Sequence, residues 1–329
     1  MIETARMTLW CAADDERWPE KYQDALLWSL STLLARKWFK RLEVLTDSRG
    51  AKFFDDIELP FDSVSTDLDR FPRYPFWAAG KIRCYQLANE PFVHLDHDAF
   101  LLKPLPRRVL AAAALAQSTE STMDEDFYPL YQFADLCGDL PFRWRQAIRP
   151  GRRWAFQRES LPAYNAGILG GNDVEGIQRY AANVFRIADN NPRLSGLGGT
   201  HLSIILEQFG FGVELGQSRI ETLLHNTNPQ PYKPMNDMEQ EAIDLGYCHL
   251  CGEWKQDAYY RKRVRDRLKV TFPAQFELLK RVGLLDPIRL AWRKKDCVDC
   301  EPIITNAVYQ PPAPRSRPRV EARLLEPEQ

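Results

Sequence analysis

Phe92-Val93-His94-Leu95-Asp96-His97-Asp98-Ala99-Phe100-Leu101-Leu102 is the stretch on which the fold turns. An apolar run enters Asp96-x-Asp98 and leaves it as a second apolar run, stopped by Lys103-Pro104-Leu105-Pro106. The pattern predicts a short buried strand carrying two carboxylates at its C-terminal end. Two uncompensated aspartates beside a core strand repel each other and are costly to desolvate, so a cation is expected between them. A hard divalent ion with oxygen ligands fits that position.

Working outward, strands and helices alternate. Arg6 to Ala12 reads as a first strand, and Lys21 to Phe39 has apolar residues at helical spacing. Leu42 to Thr46 and Phe61 to Ser65 read as further strands, and a helix is expected from Phe76 to Asn89. This order predicts an α/β fold with a mostly parallel central sheet flanked by helices, in which ligands bind beyond the carboxyl ends of the strands.

Downstream, an alanine-rich helix is expected over Arg107 to Gln117. Phe127 to Arg158, rich in aromatics and arginines, reads either as the wall of a substrate groove or as a packed surface loop. Ala163 to Asp173 reads as a short strand ended by Gly170-Gly171. Within it Asn165 either faces a sugar hydroxyl or satisfies a neighbouring backbone group, and Gly167 permits close backbone approach. Helices are expected over Val174 to Ala188 and over Thr200 to Phe209, with Thr200 as N-cap, a flexible loop between them at Leu194 to Gly199, and a strand at Phe211 to Leu215. Leu224 to Met235 shows little periodicity and reads as a loop.

The third site lies at His249-Leu250-Cys251-Gly252-Glu253-Trp254-Lys255. An imidazole at a strand end suits a metal, and the Gly252 N–H and the Lys255 ammonium suit phosphate oxygens. Cys248-x-x-Cys251 and Cys297-x-x-Cys300 offer a competing account, a structural Zn²⁺ held by four thiolates. The 45 residues from Gly252 to Asp296 make a gap longer than a compact zinc ribbon uses.

Composition excludes several classes. The 329 residues hold 44 Lys plus Arg against 45 Asp plus Glu, a formal charge of -1, so nothing marks a nucleic-acid or membrane-surface binder. No apolar run approaches the roughly 20 residues that a bilayer requires. Seven scattered cysteines fit a reducing compartment, and the expected location is the cytoplasm.

The spacing His249-x-x-Gly252-x-x-Lys255, the Asp96-x-Asp98 triplet after an apolar strand and Asn165-x-Gly167 in a short strand resemble the signatures of family 8 glycosyltransferases, the glycogenin and bacterial lipopolysaccharide-sugar transferase group. Lys81 to Leu87 is similar to the lysine-bearing helix that precedes the triplet in that group. The resemblance implies a GT-A fold over residues 1–257 and transfer of a sugar from a nucleotide-diphosphate sugar, a UDP-sugar favoured, with retention and with Mn²⁺ or Mg²⁺. It further implies that Asp96, Asp98 and His249 hold the metal, that Lys255 and Gly252 grip the diphosphate, and that Lys81 lies near phosphate and donor sugar. Asn165 and Gly167 would face the sugars, Trp10, Cys11 and Ala12 the base, and Arg73 a phosphate or ribose.

One departure stands out. Where the family carries an Asp-Gln pair, this chain has Thr200-His201, which keeps an inactive nucleotide- or sugar-binding relative in contention; a metal-dependent nucleotidyltransferase, which could use the same carboxylates, is the other alternative. Glu207 and Gln208, two turns on, are candidates for the missing polar groups. Residues 258–300 read as a helical appendage, with a basic helix carrying Arg261 to Lys269 that either meets an anionic acceptor or is a solvated surface. Residues 301–329 read as a Pro/Arg-rich disordered tail.

Overall fold

A computed structural model describes residues 2–11, 24–122, 126–148, 162–225, 242–250 and 252–285. Its centre is a seven-stranded sheet built from β1 (Thr4–Leu9), β2 (Arg41–Thr46), β3 (Ser63–Ser65), β4 (Phe92–Leu95), β6 (Ala114–Ala116), β9 (Ile168–Gly171) and β10 (Ile220–Thr222). Their order is β10-β6-β9-β4-β1-β2-β3, and β7 (Thr119–Glu120) pairs with β8 (Ala163–Tyr164) in a separate two-stranded antiparallel sheet. In the seven-stranded sheet β9 runs antiparallel to both β4 and β6, and the remaining neighbours are parallel. The mixed α/β class with a mainly parallel sheet is therefore the architecture that the strand-helix alternation predicts.

Side chains alternate across the sheet, as strand geometry requires. Ala5, Met7 and Leu9 of β1, with Val93 and Leu95 of β4, enter one core with helix α1 (Ala25–Arg36) and helix α2 (Ser48–Asp56). On the opposite face Phe92 joins a second core with helix α3 (Ala79–Gln86) and helix α4 (Val174–Asn190). The first core also takes in Val264 and Leu268 of helix α7 (Ala258–Thr271) and Leu279 of helix α8 (Pro273–Arg281). Among the described residues, no helix is long and apolar enough to cross a membrane.

Several expectations are corrected. The helix expected over Arg107 to Gln117 stops at Leu110, and Ala114–Ala116 is a strand of the central sheet. Alanine's helix propensity is a weak prior, and pairing of this segment with β9 on one side and β10 on the other overrides it. The expected flexible loop after α4 is a 3₁₀ turn, Pro192–Leu197, anchored by buried Leu194 and Leu197. Helix α5 (Gly199–Ile204) starts from Gly198, so Thr200 is not its N-cap. It continues through a π turn at Ile205–Phe209 into helix α6 (Gly210–Leu215), where a strand is expected. The apolar run at 211–215 is too short for periodicity to separate strand from buried helix.

The expected first strand ends at Leu9, and Ala12 lies outside the described residues, as do the turn and helix start at 13–23. The loop expected at 224–235 and the aromatic, arginine-rich segment are described only in part, and the tail at 301–329 is outside. Of the expected C-terminal helices, those at 258–271 and 273–281 are described.

Candidate metal and diphosphate centre

Chain geometry brings distant residues to one point. β4 ends at Leu95, and Asp96 N–H donates to Gly167 O at 3.0 Å, which fixes the start of the Asp96-x-Asp98 turn beside β9. The turn leads into β5 (Ala99–Leu101), which pairs antiparallel with β11 (Tyr247–His249). In that register His249 lies opposite Ala99, and Leu250 N–H donates to Asp98 O at 3.0 Å. The backbone ladder thus sets the imidazole next to Asp98 across 151 residues of chain. From the other side, Ser31 of α1 donates its hydroxyl to Ala99 O at 2.6 Å.

Ligand atoms of Asp96, Asp98 and His249 all lie within 4.8 Å of one another. His249 Nε2 is 3.4 Å from Asp98 Oδ1 and 4.0 Å from Asp96 Oδ2. Its other ring nitrogen, Nδ1, lies 2.7 Å from Gln117 Oε1, and the Tyr247 hydroxyl donates to the same oxygen at 2.7 Å. A carbonyl oxygen can only accept from Nδ1–H, which leaves Nε2 as the ring nitrogen that would serve a metal. Two carboxylates and an imidazole so oriented fit a divalent cation.

Two lysines flank the acids. Lys81 of α3 lies 2.7 Å from Asp96 Oδ1 and 2.9 Å from Glu207 Oε1. Lys255 lies 3.1 Å from Asp98 Oδ2. Burial works against the charge on both lysines, but Asp96 and Glu207 outweigh it at Lys81, and Asp98 does so at Lys255, so both ammoniums are held above their usual range. Burial pushes Asp98 up, yet the imidazoles of His97 and His249 and the Lys255 ammonium outweigh it and hold the carboxyl well below its usual range. Glu207 is driven up by burial, with Lys81 pulling against it.

Gly167 has a definite steric role. A Cβ there would lie 2.3 Å from Gln117 Oε1 and 2.4 Å from His249 Nδ1, so the close approach that this glycine allows is to the imidazole and its acceptor. Asn165 is buried with both ends of its amide engaged: Nδ2 donates to Glu120 Oε1 at 2.7 Å, and Oδ1 accepts from Gly167 N–H at 3.0 Å.

Other expected site residues fall as follows. Gly252, at φ +61, opens the 3₁₀ turn Gly252–Gln256 that carries Lys255 back to Asp98. Trp10 and Cys11 are buried just past β1, and the Trp10 Nε1–H has no hydrogen-bond partner. Arg73 is exposed on the segment before α3. Thr200 and His201 sit on α5, where His201 Nδ1 lies 3.3 Å from Leu197 O. Cys248 is exposed on β11 between Tyr247 and His249, and Cys251, Cys297 and Cys300, the rest of the zinc proposal, lie outside the described residues.

Sequence reasoning missed Gln117 because a helix was expected there, whereas the residue directly follows strand β6. It gave Glu207 only loosely. This carboxylate is fully buried on the π turn, held by Lys81 and by the Tyr85 hydroxyl at 2.8 Å. Such turns occur often at functional sites. Gln208 meets the Tyr128 hydroxyl at 2.6 Å.

Among solved structures, the chain is similar to mouse xyloside xylosyltransferase 1 in its apo form, with a TM-score of 0.36 and 13% identity over 68% of this chain and 85% of that one. It is also similar to the glycosyltransferase GlyE of Streptococcus pneumoniae TIGR4, with a TM-score of 0.44 and 10% identity over 86% of this chain and 64% of that one. A search of curated proteins finds no match in sequence. Residues 8–282 match the model described as "Family of unknown function (DUF6734)", and the chain belongs to that family.

Proposed function

We propose that this protein is a metal-dependent glycosyltransferase of GT-A type, which moves a sugar from a nucleotide-diphosphate sugar to an acceptor. The observation that carries the proposal is the convergence of Asp96, Asp98 and His249 within 4.8 Å, with an ammonium on each side. Asp96, Asp98 and His249 would hold the cation, and the imidazole among the donors favours Mn²⁺ over Mg²⁺. A bound divalent ion neutralises charge that builds on a leaving diphosphate.

The chain's own residues do the rest. Gln117 fixes the tautomer and direction of His249, and Gly167 leaves room for both. Lys255, on its short turn, grips a diphosphate with the Gly252 N–H, and Lys81 stands between the Asp96 end of the site and Glu207. Preorganised ammonium and N–H donors stabilise a developing diphosphate charge most where water is excluded. The donor favoured here is a UDP-sugar, transferred with retention, on the support of the family 8 resemblance. Asn165, Thr200 and His201 line the sugar side in this reading. Trp10, Cys11 and Ala12 form the base end, with the unpartnered Trp10 Nε1–H as a donor available to it, and Arg73 serves ribose or phosphate.

In the same reading residues 1–257 form the catalytic domain, with the helical appendage at 258–300 and the tail at 301–329. The same reading has the protein work in the cytoplasm, on the support of its scattered cysteines.

A thermal-shift screen of nucleotides and nucleotide sugars, with and without Mn²⁺, tests the proposal, because a ligand that binds the folded state raises its apparent stability. Stabilisation by a nucleoside diphosphate only when Mn²⁺ is present, with slow hydrolysis of one nucleotide sugar, is the expected result. Consumption of a nucleoside triphosphate, or binding of a nucleotide sugar without turnover, contradicts it.

A further inference from the structure

Helix α7 reads as an appendage in the sequence, yet its first turn reaches into the site. Trp254 of the Gly252–Gln256 turn stacks on Tyr260 of α7, with ring centroids 6.0 Å apart. Beside it, Arg261 Nη1 donates to Lys255 O at 2.9 Å. The guanidinium thus holds the backbone of the residue whose ammonium meets Asp98 Oδ2 at 3.1 Å. Hydrogen bonds from a charged donor are among the stronger ones.

The same Nη1 lies 3.8 Å from Asp24 Oδ1, and the other oxygen of that carboxylate, Oδ2, lies 3.4 Å from His97 Nε2. Asp24 stands at the N-cap of α1, where an aspartate ordinarily accepts from the N–H groups of its own helix, but its side chain makes no such bond. It faces His97 and Arg261 instead. His97 is the middle residue of the Asp96-x-Asp98 turn, and its ring stacks on Trp28 of α1 at 5.0 Å between centroids and 16° between planes. Its buried Nε2 is close to Asp24 but not aligned as a hydrogen bond.

These contacts close a ring of Asp98, Lys255, Arg261, Asp24 and His97, the last joined to Asp98 through the chain. Its members come from the start of α1, the turn after β4, the turn after β11 and α7. The side chains of Arg261 and Asp24 are 19% and 20% exposed, so the link is largely shielded from water. A planar guanidinium with five donors can serve a carbonyl and a carboxylate together. The next residue, Lys262, pairs with Asp266 on the exposed side, so the basic run is divided between a solvated face and one inward arginine.

We propose that Arg261 and Asp24 are positioning residues for the diphosphate end of the site: Arg261 fixes the turn that carries Lys255, and Asp24 joins that turn to the Asp96-x-Asp98 turn through His97. Helix α7 then works as part of the catalytic unit. This rests on the reading of Lys255 given under the proposed function. Both residues act through Lys255 and His97, not on the ligand.

Residue-resolved hydrogen exchange on the full chain without ligand tests the link. Asp257 N–H, which donates to Trp254 O at 3.2 Å, reports on one turn, and Ala99 N–H, which donates to Asp96 O at 3.0 Å, reports on the other. Arg261→Met is expected to speed exchange at Asp257 about fivefold, the ordinary worth of one hydrogen bond. Asp24→Asn is expected to speed it at both Asp257 and Ala99, while the interior of β1 exchanges as in wild type. Unchanged exchange at the two turns overturns the proposal, as does an equal rise throughout the sheet, which a purely structural role predicts. If Arg261→Met does not fold, Asp24→Asn alone decides.

UDP affinity in the presence of Mn²⁺ gives the functional readout. Arg261→Met is expected to weaken it about fivefold, and Lys255→Met to weaken it as well. The double variant should bind no more weakly than Lys255→Met alone, because Arg261 acts through Lys255. Additive losses overturn that route. Wild-type protein that binds no UDP with Mn²⁺ contradicts the diphosphate reading of Lys255, and the exchange comparison still decides whether the two turns are linked.

Discussion

His249 Nδ1 rests 2.7 Å from Gln117 Oε1, and this contact turns Nε2 toward Asp98, 3.4 Å away. The imidazole could otherwise rotate about χ2 or adopt the other tautomer, and either would remove a lone pair from the centre. Replacing Gln117 with leucine should therefore weaken Mn²⁺ binding about 10- to 100-fold, the usual effect of losing the group that orients a ligating histidine. Titration calorimetry on the folded variant measures it. Undiminished affinity would show that the imidazole is oriented by something else.

Gly167→Ala tests the same wall from the opposite side. The new methyl would fall 2.3 Å from Oε1 at the end of the buried Gln117 side chain and 2.4 Å from Nδ1 in the His249 ring, so both groups must shift. Overpacking of this kind costs about 1–3 kcal/mol in stability. Chemical denaturation should show that loss, and Mn²⁺ affinity should fall with it. A variant as stable as wild type, with normal metal binding, would mean that the site relaxes easily.

His94 predicts a pH effect. Its ring is buried in β4, Nε2 lies 3.0 Å from Thr8 Oγ1, and Nδ1 has no hydrogen-bond partner. Burial, with the nearby charges of Lys81 and Arg6, holds its pKa well below the usual 6.5. The ring is thus neutral in the folded protein and takes up a proton on unfolding in mild acid. The contribution is fully present above about pH 6.5 and is lost as the pH falls from there toward the depressed folded value, at up to about 1.4 kcal/mol per pH unit. Denaturation curves between pH 7.5 and pH 5 should show wild type losing more stability than His94→Gln over that range. Parallel losses would remove His94 as the cause.

The helix cap at Asp173 gives a test outside the site. Its carboxylate accepts from Gly176 N–H at 3.0 Å and pairs with Arg219 at 2.6 Å, joining the start of α4 to the turn before β10. Asp173→Ala should lower stability by about 1 kcal/mol, the ordinary value of an N-cap, with Mn²⁺ binding untouched. An equilibrium urea titration decides it, and an unchanged midpoint would show the cap to be dispensable.

Much of this arrangement is legible in the chain itself. Alternating strands and helices announce the parallel sheet, the apolar run before Asp96 marks β4, and the spacing from His249 to Lys255 foretells a strand end followed by a turn. Less visible are features that depend on contacts remote in sequence. Ala114 to Ala116 form a strand because β9 and β10 flank them, and no local signal opposes the helix that alanine favours. Gln117 gains its role from the same pairing. Glu207 reads as one more polar residue on a helix, and only the fold shows it fully buried against Lys81 and Tyr85.

Asp98 stands at the centre of the account, touched by both His249 and Lys255. The most direct test is equilibrium dialysis of Mn²⁺ with UDP against wild-type protein and Asp98→Asn, with circular dichroism confirming that the variant is folded. The account predicts joint uptake of metal and nucleotide by wild type and loss of the metal-dependent part in the variant. Equal uptake by the two proteins would contradict it.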